Sequence, residues 1–188
     1  MAIMINGRDL TVEEVIKVCR QGEQVAITEE AQRAVKKARD YVDKKLEDGA
    51  IIYGLTTGFG KFSDVFISHD ETADLQRNLI ISHTCALGNA LPTPVVRGIM
   101  LLRCNALSRG NSGIRPGTLN TLLEMLNKGV HPQIPEKGSL GASGDLAPLS
   151  HMVLTLIGEG EAEYQGKVKL YQIVAPSRVQ VSTYEQLK

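Results

Sequence analysis

The sequence predicts a mostly helical protein, and three observations favour this class. Apolar residues recur at helical spacing along several stretches, as Ala31, Val35 and Val42 do. Helix-start signals precede these stretches. The 188 residues, 43% of them hydrophobic, are enough for one domain with a core.

Two helix starts are predicted within the first fifty residues. Thr11 with Glu14 has the pattern of a capping box and opens a short helix. Thr28, followed by two glutamates, opens a longer helix with one apolar and one charged face. The stretch "AIIYGLTTGFGKF" then breaks the helical pattern with closely spaced glycines, so we expect a loop there.

Four further helices are predicted downstream. One runs from Ser68 to Gly88, and a second begins at the pair Thr93-Pro94. A third runs from Arg115-Pro116 to near Gly129, and "LAPLSHMVLTLIGEG" predicts a buried fourth. Small extended pieces are expected around the Tyr53 loop and in the tail, which is rich in Val, Tyr and Gln.

Charge and composition disfavour several classes of protein. Lys and Arg together number 21, as do Asp and Glu, so no overall basic charge attracts nucleic acid or an anionic membrane surface. The N-terminus lacks a signal pattern, and no apolar run reaches the roughly 18 residues of a membrane span. We therefore expect a cytoplasmic protein. Cys19, Cys85 and Cys104 are too widely spaced to predict a disulfide framework or a zinc site.

Two glycine-rich loops fail the tests for common catalytic motifs. In "YGLTTGFGKF", Leu55 and Phe62 stand where a phosphate-binding loop needs glycine and a hydroxyl residue. In "GSLGASGDLAPLSH", Asp145 stands where a nucleophile elbow needs its last glycine, and we expect no strand upstream. Taken alone, the second loop is a turn in which Ser143 or Asp145 caps the next helix.

Four segments in order carry a family resemblance: "IYGLTTGFG", "LQRNLIISH", "NALSRGNSGIRP" and "IPEKGSLGASGDLAPLSHM". Together they resemble the aromatic amino-acid ammonia-lyase family, most closely its members that act on histidine. The resemblance covers residues 1–166 and implies an incomplete N-terminal domain of the all-helical, fumarase/aspartase-like lyase fold. Residues 167–188 form a tail that we cannot match to the family.

The resemblance implies a self-derived cofactor at Ala142, Ser143 and Gly144. In the family this triplet cyclises autocatalytically to 4-methylidene-imidazole-5-one (MIO), and neither a metal nor a nucleotide is expected. The residue types suit that chemistry, because small residues permit a severely bent backbone and serine supplies a leaving group. Standard side chains offer nucleophiles and bases but no strong electrophile.

Two further residues match family positions near the substrate. The resemblance implies that Tyr53 is the base for the β-hydrogen, which requires electropositive surroundings that stabilise the phenolate. It also implies that His83 contacts the substrate ring. Ordinary alternatives are a tyrosine packed at a loop edge and a histidine hydrogen-bonded in the core. Histidine is favoured as the substrate over tyrosine, although tyrosine-specific lyases and aminomutases also present histidine at this position.

The leading hypothesis is therefore a carbon–nitrogen lyase of histidine degradation that converts L-histidine to trans-urocanate and ammonia. The alternatives are a tyrosine lyase or aminomutase of the same family, and a catalytically silent fragment that pairs with a family subunit. Family members form homotetramers whose active sites draw on more than one chain, and their subunits are far longer, so full activity of this chain alone is not expected. The remaining polar residues in or near the motifs receive structural roles: Asn111 in a turn, Arg115 in surface or backbone hydrogen bonds, Asp145 as a helix cap, His151 in helix-face packing, His69 in the first turn of a helix and His131 in a proline-rich loop.

Overall fold

The structure, a computed structural model, describes residues 2–58, 60–66, 72–174 and 180–183. Six α-helices and eight short strands lie in this part of the chain. The helices are α1 (Val12–Ile16, continued by a π-helical turn, Lys17–Gln21), α2 (Glu29–Glu47), α3 (Thr72–His83), α4 (Thr93–Leu107), α5 (Pro116–Lys128) and α6 (Leu146–Leu156), with a short 3₁₀ turn at Gly60–Phe62. The strands are β1 (Ile3–Ile5), β2 (Val25–Ile27), β3 (Leu87–Ala90), β4 (His131–Pro132), β5 (Pro135–Lys137), β6 (Glu161–Tyr164), β7 (Lys167–Val174) and β8 (Gln180–Thr183).

The core lies between α4 and α5, whose apolar faces pack against each other. Met100 and Leu101 of α4 and Met125 and Leu126 of α5 are fully buried. Each such side chain contributes about 1.5–3 kcal/mol relative to an exposed one. The parallel pair β1–β2 covers one side of this core, with Ile5 fully buried. The prediction of a mainly helical protein is confirmed.

The two predicted N-terminal helix starts are confirmed with their hydrogen bonds. Thr11 Oγ1 accepts a hydrogen bond from the Glu14 N–H at 3.3 Å, and Glu14 Oε2 accepts one from the Thr11 N–H at 2.9 Å. Thr28 Oγ1 accepts the Ala31 N–H at 3.3 Å. These bonds satisfy donors that the first turn of a helix leaves without partners.

Helix α3 differs from its predicted boundaries, because it ends at His83 rather than at Gly88. The predicted start at Ser68 lies outside the described residues. At the C-terminal end, side chains compete for the carbonyls of the last turn: Thr84 Oγ1 donates to Ile80 O at 2.8 Å. The chain then leaves the helix and enters β3, which pairs with β5.

The second predicted boundary to change is the start of α4. The N-cap residue is Pro92, and Thr93 is already the first residue of the helix. The Thr93 hydroxyl donates to Glu163 Oε2 at 2.8 Å instead of capping the helix. Helix α5 begins at Pro116 as predicted and ends at Lys128. Its C-cap residue is Gly129, whose φ of 72° is the left-handed conformation that terminates helices.

The strands were the least well predicted elements. The Tyr53 loop holds one isolated bridge, between Thr57 and Phe66, and no strand among its described residues. The stretch upstream of Gly138, where no strand was expected, contains β4 and β5. Strands of two or three residues containing proline are too short for an alternating pattern to appear in the sequence. The nucleophile-elbow motif still fails, because Asp145 occupies its last position.

The end of the described chain forms an antiparallel sheet in the order β4-β6-β7-β8. Strands β6 and β7 form a hairpin in which Tyr164 pairs with Lys167. The expected extended tail is therefore present as β7 and β8, as far as residues 167–174 and 180–183 describe it. In the described ranges, no helix has both the length and the apolar content needed to cross a membrane.

Two glycines of the segment "NALSRGNSGIRP" bring the α4–α5 connection into contact with α2. A Cβ atom on Gly110 would lie 2.6 Å from the Ala34 carbonyl carbon, and one on Gly113 would lie 2.5 Å from Val42 Cγ2. Both glycines have left-handed φ angles, 72° and 67°. This segment is thus required for close packing of the connection on α2.

Candidate active site

The Ala142-Ser143-Gly144 triplet lies in a tightly bent, closed loop. Gly141 and Gly144 adopt left-handed φ angles of 107° and 72°, which side chains disfavour. The Ser139 hydroxyl donates to the Gly144 carbonyl and so joins the two ends of the loop. Ala142 and Ser143 are exposed. The backbone is therefore strongly bent where a triplet ring closure requires it.

Helix α6 begins directly after the triplet. Asp145 is its N-cap residue, as expected, but its side chain makes no capping hydrogen bond, which corrects the predicted cap. Pro148 is the third residue of the helix and has no N–H to satisfy. The first-turn N–H groups of α6 therefore point toward the triplet end without a bond from the Asp145 carboxylate, and they favour negative charge there.

His83 is the last residue of α3, and its hydrogen bonds define its tautomer. Its Nδ1 lies 2.8 Å from Leu79 O. A carbonyl only accepts, so Nδ1 carries the proton in the tautomer that this bond selects, and Nε2 is then the acceptor nitrogen. The Ser82 hydroxyl lies 3.1 Å from the same Nδ1 and donates to Leu79 O. The half-buried ring thus offers a hydrogen-bond acceptor at Nε2.

One residue connects the end of α3 with the triplet loop. Ala86, three residues after His83, lies against Gly138, where an added Cβ would be 2.7 Å from Ala86 Cβ. The Ala86 N–H also donates to His151 Nε2 on α6 at 3.2 Å. A salt bridge between Arg77 Nε and Glu159 Oε1, 2.7 Å apart, is a second link between α3 and the segment after α6. The structure therefore brings the surroundings of His83 and of the triplet together.

Tyr53 lies in a separate loop that two buried threonines hold in place. Thr56 Oγ1 accepts the Ile52 N–H at 2.8 Å and donates to Ala50 O at 2.9 Å. Thr57 Oγ1 accepts the Gly54 N–H at 3.1 Å. Tyr53 itself is 63% exposed, and its hydroxyl oxygen accepts the Gly60 N–H at 3.3 Å.

The sequence reasoning missed a buried cation, Arg97 on α4. Its guanidinium donates to Val18 O at 2.8 Å, to Leu126 O at 3.0 Å and to His131 Nε2 at 3.1 Å. Burial lowers the pKa of Arg97. The signal was present, since Arg97 lies three residues before Met100 on the apolar helix face.

His131 lies in β4 rather than in the loop expected for it. Burial, and then the Arg97 charge, lower its pKa, while the Glu163 charge raises it. Because Nε2 accepts from Arg97, the proton of the neutral ring is on Nδ1, which is buried and finds no partner within the described ranges. Arg97 and His131 therefore connect four elements: the π-helical turn after α1, helix α4, helix α5 and strand β4.

The three cysteines are free thiols. Burial raises the pKa of Cys104 to about 12 and is the main cause of the raised pKa of Cys19, where Arg97 and Arg20 act in the opposite direction. Both thiols are therefore protonated near neutral pH and are poor nucleophiles. In the parts of the chain described, no cluster of three or more His, Cys, Asp and Glu side chains is arranged to hold a metal ion.

Comparison with known proteins assigns the chain to a class of lyases. The family model for aromatic amino acid lyases matches residues 10–175. The chain belongs to the aromatic amino acid lyase family.

Individual relatives agree with this assignment. The chain is 66% identical to a histidine ammonia-lyase of Alkaliphilus oremlandii (strain OhILAs) over 165 residues, which cover 88% of this chain and 32% of the relative. A tyrosine aminomutase from Streptomyces globisporus superposes with a TM-score of 0.83 at 35% identity, covering 90% of this chain and 32% of that one. A histidine ammonia-lyase from Trypanosoma cruzi gives 0.81 at 34% identity, with the same coverage of both chains. The chain thus has the ammonia-lyase fold and spans about a third of the length of these proteins.

Proposed function

We propose that this chain is the electrophile-bearing N-terminal part of a histidine ammonia-lyase, which converts L-histidine to trans-urocanate and ammonia. The observation that carries the proposal is the closed, strongly bent loop at Ala142-Ser143-Gly144, which directly precedes α6 and is linked through Ala86 to the end of α3. The similarity to histidine ammonia-lyases supports it.

The triplet supplies every atom of the proposed cofactor. The Gly144 nitrogen bonds to the Ala142 carbonyl carbon, and the carbonyl oxygen leaves as water with the two hydrogens of the Gly144 and Ser143 nitrogens. The Ser143 hydroxyl leaves as a second water with the Ser143 α-hydrogen, which creates the exocyclic methylidene. The bent loop supports this chemistry because its left-handed glycines flank and end the triplet.

The residues around the triplet fit such a group. The resulting MIO supplies an electrophile that activates the substrate amine as a leaving group. The N–H groups at the start of α6 stabilise negative charge that develops at the triplet, since the Asp145 side chain does not cap them. The exposure of Ala142 and Ser143 leaves this position open to a substrate.

His83 accepts a hydrogen bond from the substrate ring in this proposal. The Leu79 carbonyl fixes the proton on Nδ1, so the outer Nε2 is an acceptor for an imidazole N–H. Tyr53 is proposed as the base that removes the β-hydrogen. The hydrogen bond from the Gly60 N–H to its hydroxyl oxygen holds that oxygen in place within the loop.

Tyrosine is the second candidate substrate, for one specific reason. An acceptor at His83 Nε2 takes a phenol O–H as readily as an imidazole N–H. The structural similarity to a tyrosine aminomutase is consistent with this alternative. The high identity to histidine ammonia-lyases makes histidine the first choice.

We propose that the functional assembly is a homo-oligomer, the tetramer of the family. Large apolar side chains around the candidate site are unusually exposed: Leu140 (94%), Ile51 (75%) and Leu87 (74%). Further protein covering this face would bury them and exclude water from the reaction.

A chimaeric subunit tests the proposed function. The matched segment of this chain replaces the N-terminal part of the Alkaliphilus oremlandii relative, and urocanate from histidine and coumarate from tyrosine are followed by absorbance. We expect urocanate, loss of turnover in Ser143→Ala, and a large rise in KM in His83→Leu. Gln76→Ala, at an exposed position of the same helix as His83, is the control and should leave KM unchanged. An active chimaera whose Ser143→Ala variant keeps its rate would contradict the mechanism.

A further inference from the structure

The segment that follows His83 is anchored by a side chain from the helix that follows the triplet. The Ala86 N–H donates to His151 Nε2 at 3.2 Å, although the two residues are 65 positions apart. His151 lies in the second turn of α6, five residues after Leu146. The bond therefore joins two elements that the chain itself connects only through α4, α5 and the intervening strands.

The same alanine is the contact point of the triplet loop. A Cβ on Gly138, where the loop begins, would be 2.7 Å from Ala86 Cβ and 2.8 Å from Ala86 Cα. Directly beyond these two residues, Leu87 pairs with Lys137 in the β3–β5 ladder. The end of α3, the start of the loop and the body of α6 thus meet at Ala86.

The bond requires a particular form of the His151 ring. Nε2 accepts, so the ring is neutral and its proton is on Nδ1. Burial lowers the pKa of His151, which favours that neutral form. The Ala86 N–H is half-buried. When the His151 acceptor is removed, water therefore replaces it only in part.

We propose that His151 is a positioning residue that fixes His83 and the triplet loop relative to each other by accepting the Ala86 N–H. The loop needs such an anchor because its tip is open to solvent: Leu140 is 94% exposed, and a Cβ on Gly141 would contact nothing within 4 Å. The role assigned to His151 rests on the proposed function, in which the triplet cyclises and His83 contacts substrate.

Two substitutions in this chain separate the hydrogen bond from the bulk of the side chain. His151→Gln keeps an acceptor at similar reach, and His151→Leu keeps volume without an acceptor. Hydrogen exchange at the Ala86 amide reports the bond, and the rate at which the chain loses two waters, about 36 Da, reports ring closure at the triplet. Urea unfolding shows whether each variant is folded.

In His151→Leu we expect the Ala86 amide hydrogen to exchange faster, by about fivefold or more, and the triplet to cyclise more slowly. In His151→Gln both rates should stay close to those of the unchanged chain. Unchanged exchange and cyclisation in a folded His151→Leu would overturn the proposal. If that variant does not fold, His151→Gln decides, and rapid exchange at Ala86 in folded His151→Gln would equally overturn it. A chain that never loses water refutes the proposed function instead, while the Ala86 exchange rates still test His151.

Discussion

Replacing Gly110 by alanine tests why the α4–α5 connection carries its glycines. At φ 72° an alanine costs about 1–2 kcal/mol in left-handed strain. Its Cβ would also lie 2.6 Å from the carbonyl carbon and 2.7 Å from the carbonyl oxygen of Ala34, so the backbone of α2 must move. Such overpacking costs about 1–3 kcal/mol more. The sum, about 2–5 kcal/mol, is a large part of the roughly 5–15 kcal/mol typical of a domain.

Gly22 provides a matched control for the strain alone. Its φ of 73° is nearly the same, but a Cβ there would meet nothing within 4 Å. Gly22→Ala should therefore lose only about 1–2 kcal/mol. Urea unfolding followed by circular dichroism measures both variants, and with a slope of about 2 kcal/mol per M the midpoints should differ by about 1 M. Equal losses in the two variants would refute the close packing of this connection on α2.

Three further predictions concern the joints of the fold and the candidate site. Stability should fall as the pH drops below about 6.5. The reason is that burial lowers the pKa of His131 and of His151, so the unfolded chain takes up protons at a higher pH than the folded chain does. Urea midpoints at pH values of about 7.5 and about 5.5 measure this effect, and a higher midpoint at the lower pH would contradict the prediction. Asn127→Ala should lower the free energy of unfolding by about 1–3 kcal/mol, because the Asn127 side-chain amide accepts the Val25 N–H at 2.9 Å and donates to Val25 O at 2.8 Å. Asn120→Ala on the same helix is the control. Equal unfolding midpoints in the two variants would argue against a stabilising role of Asn127. Tyr53→Phe in the chimaeric subunit should lower kcat by about 10²-fold or more while the chain still loses two waters; an unchanged kcat would remove Tyr53 from the role of base.

Helices with explicit start signals were predictable from sequence because their determinants are local. The hydrogen bonds of Thr11, Glu14 and Thr28 lie within three residues along the chain. The end of α5 was predictable for the same reason, since Gly129 adopts the left-handed conformation on its own.

The elements that were mispredicted depend on distant contacts. The local hydrogen bonds of the last turn of α3 are followed by the pairing of β3 with β5, which lies beyond α4 and α5 in the chain, and the helical pattern showed no sign of this pairing. Strands as short as β4 are fixed by their partners rather than by their own residues.

The candidate site shows the same division. The triplet, Tyr53 and His83 were found from the motifs, and their roles remain proposals. The contribution of His151 was missed, because its partner is a backbone N–H 65 residues away and no side-chain pattern marks it. Arg97 could have been recognised as a charge within an apolar helix face, but its acceptors are carbonyls of Val18 and Leu126, which sequence patterns do not specify.

The most direct test of the account is the intact mass of the purified chain, with digestion to locate any change. We expect a mass about 36 Da below that of the unmodified sequence, confined to a peptide that contains residues 138–145, and no loss of the second water in Ser143→Ala. A folded chain with the unmodified mass would contradict the central claim that this segment builds its own electrophile.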